Sequence, residues 1–90
     1  MQTFVDAEDA YLAWIRTRVD GYVLNAGRTD APSTAVVLHR ATCPFISGAY
    51  TNYTTRDYIK ICSSDRAELE RWSGARRGAS DYRECIHCLN

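Results

Sequence analysis

Four cysteines in a chain of ninety residues limit what that chain can fold into more sharply than any other feature of it. A domain of this size buries only about 60–65% of its unfolded surface, and small domains commonly draw stability from a metal or from disulfides. Two of the cysteines form Cys85-x2-Cys88, a spacing at which two thiolates turn around one cation. Upstream, His39-x3-Cys43 offers a complement. Together His39, Cys43, Cys85 and Cys88 supply one imidazole and three thiolates, a ligand set for structural zinc. A straight strand would hold His39 and Cys43 about 13 Å apart, at ~3.3 Å per residue. The chain must therefore bend at Ala41 and Thr42, and the Pro44 that follows suits a turn.

Cys62 is the alternative fourth ligand, since exchanging it for His39 gives an all-thiolate site. If the strands ending at His39 and starting at Tyr58 pair antiparallel across the loop between them, Cys43 and Cys62 fall toward opposite ends of that ladder. That arrangement favours His39 as the ligand and Cys62 as a small buried residue. His87, inside the knuckle, points away from whatever its neighbours bind. Four free thiols with no metal are the competing reading.

Asp6, Glu8 and Asp9 stand where a signal peptide carries basic residues before an apolar run. The cysteines are accordingly expected in a reducing, cytoplasmic setting, where metal ligation outweighs disulfides. No apolar run approaches the ~20 residues of a membrane span, so no membrane partner is expected. Eleven Lys and Arg balance eleven Asp and Glu, with 46% hydrophobic and 24% charged residues. These proportions describe one globular domain over residues 1–90, neither disordered nor fibrous.

The pattern predicts an α+β fold: an N-terminal helix, a small antiparallel three-stranded sheet, a second helix and a C-terminal CxxC zinc knuckle. Asp6 is placed as the N-cap of the first helix, with Asp9 able to reach back to it. Ala7, Tyr11, Trp14, Ile15 and Arg18 follow helical spacing along one face, and Gly21 offers a left-handed stop. Strands are predicted at Tyr22–Asn25, Ala35–His39 and Tyr58–Cys62, the β-branched second one central. Residues from Gly27 to Thr34 carry turn signals. A fourteen-residue connection from Pro44 to Asp57 is longer than a hairpin needs, and such loops are often functional. Asp65 with Glu68 forms a capping-box pattern for the second helix, whose apolar stripe includes Leu69 and Trp72. The tail from Ala79 to Asn90 looks too short for another element.

Three chemistries fail on residue type. A redox CxxC would open a helix after a strand, whereas this one closes the chain. A zinc deaminase needs a glutamate two residues after its histidine and a proline before its distal CxxC, and Ala41 and Glu84 stand there. Gly48-Ala49-Tyr50 and Tyr58-Ile59-Lys60 echo the paired tripeptides of GIY-YIG nucleases, but the second lacks its glycine. No acid–base pair accompanies the metal ligands, which makes a metalloenzyme the least expected class. Ten of the eleven basic residues are arginines, suited to bidentate contacts with phosphate or guanine. Arg40, Tyr50, Tyr53, Arg56 and Lys60 cluster in and around the long loop and form the expected nucleic-acid contact surface. A nucleic-acid-binding accessory module is therefore the expected function, and the alternative is a protein-interaction module, an adaptor or antitoxin-like subunit, using the same loop, 44–57.

Phe4-Val5-Asp6, Tyr11-Leu12-Ala13-Trp14, Gly21-Tyr22-Val23-Leu24-Asn25, Leu38-His39-Arg40-Ala41-Thr42-Cys43 and Tyr58-Ile59-Lys60-Ile61-Cys62 are spread over most of the chain. With the terminal CxxC, they resemble small uncharacterised bacterial zinc-binding modules with an HxxxC...CxxC pattern. The resemblance implies a recurring domain marked by His39, Cys43, Cys62, Cys85 and Cys88. Association of such modules with restriction or nuclease proteins tilts the expected ligand toward DNA. It transfers no catalytic residue.

Overall fold

A computed structural model describes residues 1–28, 36–47, 53–55, 57–77 and 82–89. The chain is α+β, with two helices and a five-stranded mixed sheet. In order the elements are β1 (Gln2–Phe4), α1 (Glu8–Thr17), β2 (Tyr22–Gly27), β3 (Val36–Arg40), a 3-10 turn (Pro44–Ile46), β4 (Tyr58–Ser63), α2 (Arg66–Arg77) and β5 (Tyr82–Glu84). The sheet order is β1-β4-β2-β3-β5. The β3–β5 pair is parallel and the other pairs are antiparallel.

This enlarges the expected three-stranded antiparallel sheet at both edges. Each added strand has three residues, too few for a period-2 pattern to stand out. The central strand is β2 rather than β3, and it separates β3 from β4. The tail therefore holds an element after all. The predicted turn between Gly27 and Thr34 lies mostly outside the described residues, as do Tyr50 and Arg56.

Strand alternation divides the core between the two faces of the sheet. Val23 and Cys62 point to one face, where Phe4 and the α1 residues Tyr11 and Ile15 cover them. Leu24, Ala26, Val36, Leu38, Ile59 and Ile61 point to the other, under Leu69 and Trp72 of α2. Strands buried on both faces read as nearly continuous apolar runs, which explains Tyr22-Val23-Leu24 and Val36-Val37-Leu38.

The start of α1 differs from the expected N-cap. Asp6 lies outside the helix at φ 52°, and its carboxylate pairs with Arg28 at 2.9 and 3.2 Å. Ala7 precedes the first helical residue, without a side-chain cap. Instead the helix docks on a distant turn. Thr54 takes the Asp6 N–H on its carbonyl at 2.7 Å and the Ala7 N–H on its hydroxyl at 2.9 Å. Glu8 answers by accepting the N–H groups of Tyr53 and Thr54 and the Thr54 hydroxyl. Burial disfavours the charged Glu8, but these three donors outweigh it and hold its carboxyl below the usual range.

At the other end of α1, Gly21 donates to the Arg18 carbonyl at 2.8 Å with φ outside the left-handed region. Its value is closeness: a Cβ there would lie 2.7 Å from the Trp14 ring. At α2, Asp65 caps as expected by accepting the Ala67 N–H at 3.0 Å. Glu68 reaches Ser63 rather than the Asp65 N–H, and Ser63 itself accepts that N–H at 2.9 Å. Leu69 is a fully buried apolar contact of α2 with the sheet. Leu69→Ala should lower unfolding free energy by about 2–5 kcal/mol in a denaturant titration. A loss below ~1 kcal/mol would mean that α2 contributes little to this face.

Candidate metal centre

β3 ends at Arg40, and the chain then bends. Ala41 and Thr42 form a turn closed by the Cys43 N–H on the Arg40 carbonyl at 3.0 Å, as the spacing of His39 and Cys43 requires. From the far end of the sequence, β5 runs parallel to β3 in the register Leu38↔Glu84. The next N–H, that of Cys85, bonds the Leu38 carbonyl at 2.9 Å. A tight turn follows, in which Leu89 N–H returns to the Cys85 carbonyl at 3.0 Å and carries Cys88 back toward β3. One donor atom from each of His39, Cys43, Cys85 and Cys88 then falls within 4.8 Å of the others. Four such groups, three of them buried, could hold a metal ion.

The surroundings suit thiolates. Cys88 Sγ accepts the Arg40 backbone N–H at 3.2 Å. Cys43 accepts from the backbone of Phe45, and Cys85 from the backbones of His87 and Cys88. Burial opposes ionisation at all three sulfurs, yet the donors around Cys85 outweigh it and bring that thiol below its ordinary range. Cys43, buried beside two other sulfurs, is pushed up to about 12, and Cys88 is raised for the same reasons. Three neighbouring anions repel one another, so the protein alone favours one thiolate; a bound cation reverses that preference and expels the remaining protons. Burial, with the charge of Lys60, lowers His39 to about 4, so its imidazole is neutral at pH 7 and ready to ligate. Its Nδ1 is buried without a hydrogen-bond partner among the described residues, which leaves it open to a metal.

Cys62 stands apart. His39 and Cys62 both pair with Val23, from opposite sides of β2, so two strand spacings of ~4.8 Å separate their backbones. Cys62 is fully buried against Tyr11, and burial pushes its thiol up to about 12. The expected ladder between β3 and β4 does not form, but the intervening strand separates Cys62 from the cluster all the same.

The expected nucleic-acid surface needs correction at two positions. Lys60 is 3% exposed, with its ammonium on Asn25 Oδ1 and the Tyr53 carbonyl, each at 2.7 Å. The same ammonium lies 5.9 Å from the ring centres of Tyr11, Tyr53 and Tyr58. Burial lowers it to about 8, although Glu8 favours its charge. Tyr53 is buried as well, its ring tilted against Tyr11. Both residues fix the 53–55 turn to the sheet instead of facing solvent. Arg40 is exposed, but its Nε donates to the Cys88 carbonyl at 2.8 Å and braces the knuckle. Tyr50 and Arg56 lie outside the described residues.

Sequence reasoning singled out neither Phe45, inside the 44–57 loop, nor Ile86, and gave His87 no role beyond pointing away from the metal. The Phe45 and His87 rings lie against each other, centres 4.5 Å apart and planes tilted by 33°, and Ile86 is 73% exposed. With Val37, His39, Arg83, Glu84 and Cys85 they line a mostly apolar concavity of about 340 Å³. Their only signal was adjacency: each lies one or two positions from a cysteine of the cluster. Among the described residues no helix is long and apolar enough to cross a membrane.

Cys43→Ser and Cys85→Ser should each abolish tight metal binding, read as metal content after gel filtration. Cys62→Ala should retain the metal and lose roughly 1 kcal/mol of packing. Release of metal by Cys62→Ala would overturn the assignment. Acid should also destabilise the fold. The unfolded chain protonates His39 near pH 6.5 and the folded one only near 4, so the unfolded state binds more protons between them. Stability from this group is therefore complete above about pH 6.5 and falls as pH drops toward 4. Denaturant titrations at pH 7 and pH 5 should differ in that direction, with a smaller difference in His39→Gln.

No protein-family model matches this chain, and neither a curated protein nor a solved structure matches it significantly.

Proposed function

We propose that this chain is a zinc-stabilised protein-interaction module, whose partner seats an apolar side chain on the outer face of the metal centre. Zinc suits the donor set. Cys3His is a closed tetrahedral site, in which Zn–S of ~2.3 Å places ligand atoms about 3.7 Å apart. A cluster already within 4.8 Å needs only a small contraction to reach that geometry. With four protein ligands no position remains open for substrate, which favours a structural role.

The single observation that carries the interaction reading is the exposed apolar surface built on the ligand-bearing turns. Phe45 at 45% and Ile86 at 73% exposure border the concavity instead of packing into the core. Concentrated exposed apolar and aromatic groups beside a rigid support mark binding surfaces. Nucleic acid is the second reading, and DNA would be its expected form. It rests on exposed Arg40 beside the knuckle and on Arg83 in the lining of the concavity, next to the tilted Phe45–His87 pair. Burial of Lys60 and Tyr53 removes two of its expected contacts, so the protein reading is preferred.

Purified without added metal, the chain should carry one zinc, and a chelator should abolish its cooperative melting. Less than a few tenths of an equivalent, with an unchanged melting curve, would refute the zinc reading. Peptide-display selection on the zinc-loaded chain should enrich sequences with an apolar anchor. Phe45→Ala and Ile86→Glu should weaken those peptides by about tenfold or more, with zinc content and Tm retained. The opposite result is an absence of enriched peptides together with DNA or RNA retardation that falls steeply with salt.

A further inference from the structure

Resting on the zinc reading, we infer that the metal centre is a redox switch for the face it supports: peroxide converts two of its three cysteines to a disulfide and dismantles the apolar surface. Three sulfurs from two distant segments lie within 4.8 Å of one another. A disulfide needs S–S of about 2.05 Å, so an approach of no more than about 2.7 Å suffices once the centre loosens. The ligands also differ in access. Cys43 and Cys85 are buried, at 1% and 7% exposure, whereas Cys88 is half-buried and is the point of entry for an oxidant.

The step balances with a hydroperoxide as two-electron oxidant. The Cys88 thiolate attacks one peroxide oxygen, the O–O bond breaks, and hydroxide leaves with a proton as water. A neighbouring ligand thiolate then attacks the sulfenic sulfur; the S–S bond forms, the S–O bond breaks, and a second water leaves with a second proton. Two thiolates, one hydrogen peroxide and two protons give one disulfide and two waters. The remaining thiolate and imidazole are too few to retain a dication.

The consequence for the surface follows from chain position. Ile86 and His87 lie between the two knuckle ligands, and Phe45 is two residues beyond Cys43. The Arg40 contacts that hold this turn also end on Cys88, at its Sγ and its carbonyl. The face cannot keep its shape when those sulfurs move.

The experiment treats the zinc-loaded full chain with a small excess of hydrogen peroxide. Zinc release to a chromogenic indicator, titratable thiols and the Ile86 and Phe45 NMR signals are followed together. Thiols should fall from four to two per chain as one zinc appears and both sets of signals shift. Peptide mapping should find a disulfide joining two of Cys43, Cys85 and Cys88 within one chain. Dithiothreitol with zinc should restore the start, and Cys62→Ala should show the same loss of two thiols. Zinc and thiols retained under peroxide would overturn the switch alone, as would a disulfide to Cys62 or between chains. Absence of zinc before peroxide is added would overturn the metal reading, and this proposal with it.

Discussion

Three sulfurs and an imidazole converge where β3 and β5 end, and they cannot all take their ligating form there without a cation. Burial and mutual repulsion keep Cys43 and Cys88 protonated when Cys85 is ionised. Placing a divalent ion among them exchanges protons for metal and turns repulsion into cross-linking. Much depends on that exchange. β5 has three residues and, among the described residues, pairs only with β3, in the parallel mode that is slightly weaker per residue. Metal ligation at Cys85, the residue after this strand, would add a constraint to so short a pairing. Closing the 42-residue interval from Cys43 to Cys85 costs chain entropy, which a bound metal would offset.

A second constraint operates in the other half of the sheet. Glu8 and Lys60 hold the 53–55 turn from opposite sides, one through its N–H groups and the other through the Tyr53 carbonyl. The Tyr11 hydroxyl donates to the Ile46 carbonyl at 2.6 Å, which ties α1 to the turn that follows Cys43. The long connection between β3 and β4 is thereby fastened at its described ends, next to the cluster at one end and beneath α1 at the other. A buried lysine is costly unless its donors are satisfied, and here two oxygens and three aromatic rings meet that need. Lys60 and Tyr53 are thus internal braces, while the exposed apolar groups Phe45 and Ile86 sit on the turns that bear the cluster.

The sequence by itself determined the elements whose cause is local and the chemistry that needs only residue type. Both helices were legible from their apolar spacing, β2 to β4 from their β-branched and aromatic runs, and the bend between His39 and Cys43 from the reach of an extended chain. The four donors could be grouped because so few residue types ligate metals and their spacings are tight. Tertiary structure alone decided the rest. The capping role of Asp6 gave way to docking on Thr54, since a distant hydroxyl and carbonyl outcompeted a local side chain. Strand order could not be read, because alternation says which face a residue occupies and not which strand lies beside it. That order places β2 between His39 and Cys62, and it brings Cys85 beside Leu38 through a strand too short for any periodicity to reveal. Whether Lys60 faces solvent or the core was likewise undecided by pattern, because alternation placed it opposite Ile59 and Ile61 while only the packing of α1 over that face buried both sides.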